Sequence, residues 1–571
     1  MTKKTIITSA LLASMPAMLF GQSALNAFQL SQNNELRGTA RFVSMAGAFG
    51  ALGGDLSTLT QNPAGLGVYT GSEVGASLDI DMQRTTFDAG SPFTSKQTRT
   101  SCSNFGYVGS AHTGSSIMPF FSWGASYNRA MSFERHYRGY IPRINTSMTN
   151  YMAATSQGYS PGEMWGGLEG DPDGAYDPFF ESDLPWLNLL GYNTFLFNSQ
   201  SPDGPYEGLF QPGSSGDAST QVRQRGYTDE YSINFGGNFA NTVYWGLGFG
   251  IIDTNFTSET YYDEEIDNAR IAGYSAIDCN TVDERKNTGT ETGHAGWGLQ
   301  NYQNVSGTGF NMKFGLIFKP IQQLRFGLAI HTPTWYHFTN TTNAWVDYRF
   351  DGPDYWLEGN ENNNPFATSQ QASWNTSMRT PWRFMASVAG VVGGRFILSA
   401  DYEYNAYKSM SMSYPDDGSF SSINAAQADK QNFENDVKQY YQGTSTFRLG
   451  AEVRLNRHWS VRAGYSYRTA PATTESLNGE NYIYTSGTQP MIEFQKSVQN
   501  ITCGIGYRVG GFYADAAFVH STRQSSWQAF TGFPASPAYG DYGIPANAPT
   551  PPRATVTDTR NRLVLSIGYK F

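Results

Sequence analysis

Only 7 histidines and 3 cysteines occur among the 571 residues. His112, His136, His294, His331, His337, His458 and His520 sit in no recognisable catalytic motif, which argues against an enzyme. Cys102, Cys279 and Cys503 lie far apart and lack metal-ligand spacing, so neither a metal nor another cofactor is implied. Cys102 and Cys279 are free to pair in an oxidising compartment. Charged residues make up 15% of the chain with a net charge of −10, which disfavours nucleic acid as a partner. Beyond residue 27 no apolar run approaches the roughly 20 residues that a membrane-spanning helix needs.

What the chain does have is glycine (61 residues), aromatic side chains (15%) and a strict two-residue rhythm. Phe447, Leu449, Ala451, Val453 and Leu455 alternate with Arg448, Gly450, Glu452 and Arg454. The pattern resumes with Trp459, Val461, Ala463, Tyr465 and Tyr467 against Ser460, Arg462, Gly464, Ser466 and Arg468. Side chains of a strand flip face at each residue, so this is a sheet with one apolar and one ionic face. Lipid outside and a hydrated lumen inside suit such faces, whereas a soluble sandwich would turn the apolar face inward.

About fourteen such segments run from residue 72 to the end, an even number as a single-chain bacterial barrel requires. Short turns at 240–242, 320–323, 393–394, 456–457 and 510–511 alternate with long polar loops at 134–225, 263–298, 339–379, 411–442, 470–494 and 525–553. That alternation predicts an all-β, 14-stranded antiparallel transmembrane barrel (72–571) with periplasmic turns and extracellular loops. The last strand carries Leu563, Leu565, Ile567, Tyr569 and Phe571 on one side. Its terminal Phe571 resembles the signal read by the outer-membrane barrel-assembly machinery. At the other end, Lys3 and Lys4 precede an apolar run from Ile6 to Phe20 and then small residues. This reads as a secretory signal peptide over 1–24, cleaved between 21 and 27. The address is the bacterial outer membrane, with its lipid and lipopolysaccharide as surroundings.

Residues 25–71 do not alternate. Gly38, Met45, Gly47, Ala48, Ala51 and Asp55 lead to Asn62, Pro63, Ala64, Gly65 and Leu66, small residues that permit close packing and a forced turn. This predicts a compact hatch of short helices and turns in the lumen. The same stretch resembles the N-terminal region of the FadL/TodX family of outer-membrane transporters for hydrophobic compounds, in which a glycine-rich run reaches an N-P-A-G-L motif. Arg41 is offset and Ala46 replaces one glycine of that pattern. The resemblance implies capture of a hydrophobic molecule at the extracellular loops, an internal apolar site, and sideways release through the wall at a kink in the third strand. It assigns Asn62, Pro63 and Ala64 to the hatch beside that kink.

In the third strand Phe121, Trp123, Ala125 and Tyr127 face lipid, and Pro119 and Gly124 are the candidate kink points; the alternative is that Pro119 starts the strand and Gly124 packs on the hatch. In the longest loop, Phe179, Phe180, Leu184, Trp186, Leu187 and Leu190 form a candidate landing site on a short helix running from near Asp183 to Gly191. Burial of these side chains as a cap is the competing reading. Asp171, Asp173, Gly174 and Asp177 lack the full spacing of a calcium loop. Lumen-facing Asp401, Glu403, Arg448, Glu452, Arg454, Arg462 and Arg468 read as ion pairs and hatch contacts. The expected function is passive uptake of a hydrophobic small molecule such as a long-chain fatty acid or aromatic hydrocarbon. The alternatives are a PorV-like platform for secreted proteins and an outer-membrane lipase with a dyad built from distant residues.

The apolar rows predict that the mature protein fractionates with outer membranes and leaves them only in detergent. Recovery as a dissolved monomer in plain buffer contradicts the orientation.

Overall fold

The computed structural model describes residues 23–32, 35–164, 178–181, 184–199, 205–272, 290–351, 366–369, 371–415, 418–483, 487–532 and 549–571. Within them the chain forms β1 (Glu73–Asp88), β2 (Phe93–His112), β3 (Phe120–Ser132), β4 (Arg135–Ile141), β5 (Ser215–Phe239), β6 (Val243–Ala272) and β7 (Thr290–Ile321). It continues with β8 (Leu324–His331), β9 (Trp335–Asp351), β10 (Ala372–Arg379), β11 (Arg383–Val392) and β12 (Phe396–Asn405). The series ends with β13 (Thr444–Arg454), β14 (Trp459–Arg468), β15 (Ile492–Val509), β16 (Phe512–Gln528) and β17 (Arg553–Lys570). β1 pairs with β2 on one side and with β17 on the other, so the sheet closes on itself. With β3–β4, β8–β9 and β10–β11 counted as broken single passages, the wall is a closed antiparallel barrel of 14 strands.

Each passage presents at least one large apolar side chain outward. Leu78, Phe105, Trp123, Ile233, Ile251, Phe314, Leu328, Phe384, Leu398, Leu449, Val461, Ile501, Phe518 and Ile567 are all exposed. Bathing such a belt in water would forgo on the order of tens of kcal/mol of apolar transfer energy, more than the ~5–15 kcal/mol that holds a typical domain folded. The belt therefore belongs in lipid. Facing the other way, Arg448, Glu452, Arg462, Asp401 and Glu403 are buried in the lumen. No helix among the described residues is long and apolar enough to cross a membrane.

All fourteen expected segments are strands, but several reach further outward than the sequence rhythm indicated. β1 and β2 continue to a tight connection at 89–92, and β5, β6 and β7 run for 25, 30 and 32 residues. They take up parts of the loops expected at 134–225 and 263–298, and β9 and β10 take up parts of 339–379. Above the membrane both faces of a strand meet water or other protein, so the apolar rhythm fades while the backbone pairing goes on.

The N-terminal segment lies inside this wall. It comprises α1 (Ser23–Ser31), α2 (Ala40–Ser44), α3 (Thr58–Gln61) and a 3₁₀ turn (Pro63–Val68), nearly all buried. Thr39 caps α2 by accepting the Phe42 amide, and its hydroxyl donates to Asp55 at 2.7 Å. Asn62 ties the fold of the segment together: its Nδ2 donates to the Gly50 carbonyl at 2.6 Å, and its Oδ1 accepts the Ala64 amide at 3.1 Å. Pro63 opens the 3₁₀ turn, where its missing N–H costs nothing.

Wall and hatch meet backbone to backbone. A Cβ at Gly246 of β6 would run into Pro63 and Ala64, and one at Gly327 of β8 into Gly50 and Ala51. Glycine is required at both places by this close approach. Gly327→Val is expected to loosen the hatch at a cost of about 1–3 kcal/mol, read as faster tryptic cleavage at Arg41 with the barrel still heat-modifiable on gels. Unchanged cleavage contradicts the packing.

Candidate functional site: a lumen chamber beside a broken strand

In the third passage the wall loses its ladder to β2 part-way up. The β2–β3 ladder runs from His112↔Phe120 up to Asn104↔Asn128 and stops there, with the Asn104 side-chain amide donating to Asn128 as the last rung. Above it, residues 93–102 of β2 pair with β1 alone. On its other side β3 keeps β5, but the register slips between Arg129 and Met131, leaving Ala130 as an extra residue. Glu134 interrupts the strand, and β4 then leans into the lumen. Tyr137 stacks on Phe87 of β1 at 6.1 Å, and Arg135 reaches Glu493 of β15 at 2.7 Å and Asp558 of β17 at 3.0 Å. Across the opening a single ion pair, Arg99–Glu134 at 3.3 Å, links β2 to the third passage.

Neither third-strand residue singled out from sequence lies at the break, in keeping with the alternative in which Pro119 begins the strand and Gly124 packs on the hatch. Pro119 lies in the periplasmic turn, where its carbonyl accepts the Thr113 amide at 3.0 Å, and it disturbs no ladder. Gly124 keeps regular register with Val108 and Asn234, and a Cβ there would touch Val108 and the hatch residue Leu59. The disruption sits six residues further on, at Ala130. No proline or glycine marks it; the polar run of Asn128 and Arg129 amid apolar neighbours was its only trace. Asn62, Pro63 and Ala64 likewise lie against β6 and β7, at Gly246 and Gly315, rather than at the break.

Residues that do meet the break come from elsewhere in the hatch. Glu35 accepts the Ser132 amide at 3.2 Å, Arg37 Nε at 2.7 Å and Arg560 Nη1 at 2.7 Å. Arg560 Nη2 also donates to the Glu134 carbonyl at 3.3 Å. On β2 the mirror-image bulge at Ser103 is held by the hatch too, its hydroxyl accepting the Gly38 amide at 3.3 Å. Burial by itself raises the Glu35 carboxyl, but the guanidinium groups of Arg37, Arg560 and Arg562 hold it well below the usual carboxylate range.

Behind the break lies a chamber of about 150 Å³, lined in part by Asn128, Arg129, Ala130 and Met131. Its walls carry eight arginines and only four carboxylates, with Leu36, Phe42, Ala130, Met131 and Val498 as the few apolar members. Most side chains lining this chamber are therefore polar or charged. Carboxylates are shared: Glu403 meets Arg383 at 3.0 Å and Arg448 at 2.6 Å, and Asp558 meets both Arg135 and Arg523. The expected hatch contacts are present as well, Arg41–Glu452 at 2.9 Å and the Gly50 amide on Asp401 at 2.9 Å. His331, which no motif singled out, holds the Gln61 carbonyl at 2.8 Å.

A second chamber of about 140 Å³ lies above the first and shares Gln32, Met131, Arg523 and Arg560 with it. Phe28, Phe133, Tyr137, Phe256 and Trp527 give it aromatic walls, between six glutamines. Over it sits an apolar cap built from α4 (Met148–Thr155), α5 (Trp186–Asn193) and the extended strands. Leu184, Trp186, Leu187 and Leu190 are buried in that cap, and Phe179 packs edge-on to Trp186 at 5.3 Å. In this conformation they offer no landing surface. The helix runs past Gly191, which packs against Met152 rather than stopping it. The Phe180 side chain, Asp183, the acidic residues at 171–177, Cys279 and residues 1–22 of the expected signal peptide lie outside the described residues. Glu264 anchors the cap by accepting Ser147 Oγ, the Met148 amide at 3.0 Å, Tyr262 at 2.7 Å and Trp297 at 3.1 Å. Among the described residues no group of His, Cys, Asp and Glu is arranged to hold a metal.

No family model and no curated protein matches the chain. Among solved structures it resembles the toluene transporter TodX of P. putida, with 12% identity, 94% of this chain and 99% of that one covered, and a TM-score of 0.47. A Pseudomonas aeruginosa FadL homologue is similar at 13% identity, 94% and 99% coverage and a TM-score of 0.47. The Ralstonia pickettii toluene transporter TbuX follows at 14%, 95% and 100% coverage and 0.40. They come from the family that the N-terminal motif resembles.

A carboxyl held low stabilises the fold in full above its unfolded value of 4.5 and loses that contribution only as pH falls towards the lower folded one. Glu35→Gln is thus expected to lower stability by about 2 kcal/mol, with the gap to wild type constant from pH 8 to 5 and shrinking below 4.5. A gap already closed at pH 5 contradicts the ion pairing.

Proposed function

We propose that this protein is an outer-membrane channel for passive uptake of hydrophobic or amphiphilic small molecules. The molecule enters beneath the extracellular cap, passes the two chambers and leaves sideways through the third passage. One observation carries the reading: the β2–β3 ladder ends at Asn104–Asn128, and the lower chamber is lined by Asn128 through Met131 at that same level. The straight path is filled by the hatch, whose backbone abuts wall glycines on several sides.

The height of the break fits release into lipid. Eight ladder steps separate it from the periplasmic end of β3, about 20 Å along the barrel axis at the usual rise and tilt. That is level with the outer ends of the β12–β13 and β13–β14 ladders, near the outer edge of an apolar band roughly 25 Å tall. Leaving an acyl chain in a watery pore costs about 0.8 kcal/mol per methylene relative to hydrocarbon, and a side exit avoids most of it.

Replacing Arg99 and Glu134 with cysteine in a background without the native three allows a short reversible bis-thiol linker to pin β2 to the third passage. Pinning is expected to cut uptake of a fluorescent fatty acid into proteoliposomes at least about fivefold, with recovery on reduction. Uptake that ignores the linker removes the side exit.

A further inference from the structure

The Glu35 carboxylate lines the lower chamber. It belongs to neither a helix nor the wall, yet it fills a seat made by Arg37 Nε, Arg560 Nη1 and the Ser132 amide. Both arginines have other holds: Arg37 pairs with Asp79 at 2.7 Å, and Arg560 with Asp81 at 3.7 Å and the Glu134 carbonyl at 3.3 Å. Neither would collapse if Glu35 left. Around the seat, among the described residues, Arg448 Nη1 and Arg562 Nε are buried with no hydrogen-bond partner. Such nitrogens keep donors available to a further anion.

We propose that Glu35 is a tethered occupant of an anion site, and that the carboxylate or phosphate head of an incoming amphiphile takes its place and frees the third passage at its bulge. The inference rests on the side exit described above. Exchange of one anion for another keeps the charge of the seat, so its cost is small; an uncharged head would leave Arg37 Nε and Arg560 Nη1 without the carboxylate that each now meets at 2.7 Å. Release of Glu35 also strips the Ser132 amide of its acceptor, one residue from the register slip. Binding of the head and loosening of the wall become one event. The tail then lies along Met131 and Phe133, which line the two chambers beside the opening.

The test uses the full barrel in detergent and in liposomes, with decanoate, decyl phosphate and decanol as probes. Glu35→Gln is expected to bind decanoate and decyl phosphate about tenfold more tightly with decanol unchanged, while Glu35→Asp stays close to wild type. Equal or weaker anion binding in Glu35→Gln, or a matching gain for decanol, overturns the proposal. Should the variant not fold, wild type decides: decanoate but not decanol must speed hydrogen exchange at the Ser132 amide, and no difference between them overturns the proposal. Transfer of both probes into lipid with no Glu35 effect sinks the exchange and leaves the channel standing. Transfer of neither sinks both.

Discussion

A strand wall in a membrane has to satisfy every backbone N–H and C=O from within, because lipid offers no partner. Any break in the ladder is therefore a liability that something inside must cover. Here the two strands beside the break each carry a bulge, and the hatch holds Ser103 at one through the Gly38 amide and Ser132, two residues past Ala130 at the other, through Glu35. The opening and the plug are parts of one arrangement. A barrel with this third passage and no hatch would expose unpaired backbone at the level of acyl chains.

The lumen chemistry follows from the same need. Inward-facing residues alternate between glycines, where hatch backbone touches wall backbone, and charged groups that reach hatch carbonyls and amides, such as Asp401 on Gly50 and His331 on Gln61. Arginine suits this work because its fork holds a carboxylate and a carbonyl together, as Arg560 does with Glu35 and Glu134. The result is an interior that is dense and ionic around the hatch, polar in the lower chamber and aromatic above it. A molecule with an anionic head and an apolar tail matches that order better than a bare hydrocarbon.

Most of the architecture was legible in the residue rhythm. Fourteen passages and their inward and outward faces follow from period-two patterning, because membrane burial imposes it on every strand. The rhythm fell silent where strands rise above the membrane, as in Val243–Ala272, whose outer half packs Tyr262, Ile266 and Ala269 into the cap and carries Asp263, Glu265 and Asp267 on its other face. The break could not be read from proline or glycine, since Ala130 is an ordinary residue and the slip depends on β5 and the hatch. Glu35 escaped notice for a related reason: an isolated acid in a loop gains meaning only from Arg37, Arg560 and Ser132, two of them far away in sequence. The loop residues Leu184 to Leu190 were apolar for burial in the cap, one of the two readings open beforehand.

A structure of the barrel with bound decanoate tests the central claim most directly. The account predicts a head beside Arg560 and Arg448 and a tail leaving the lumen between β2 and the third passage near Met131. A tail running down the axis past the hatch towards Arg325, with the third passage still sealed, contradicts it.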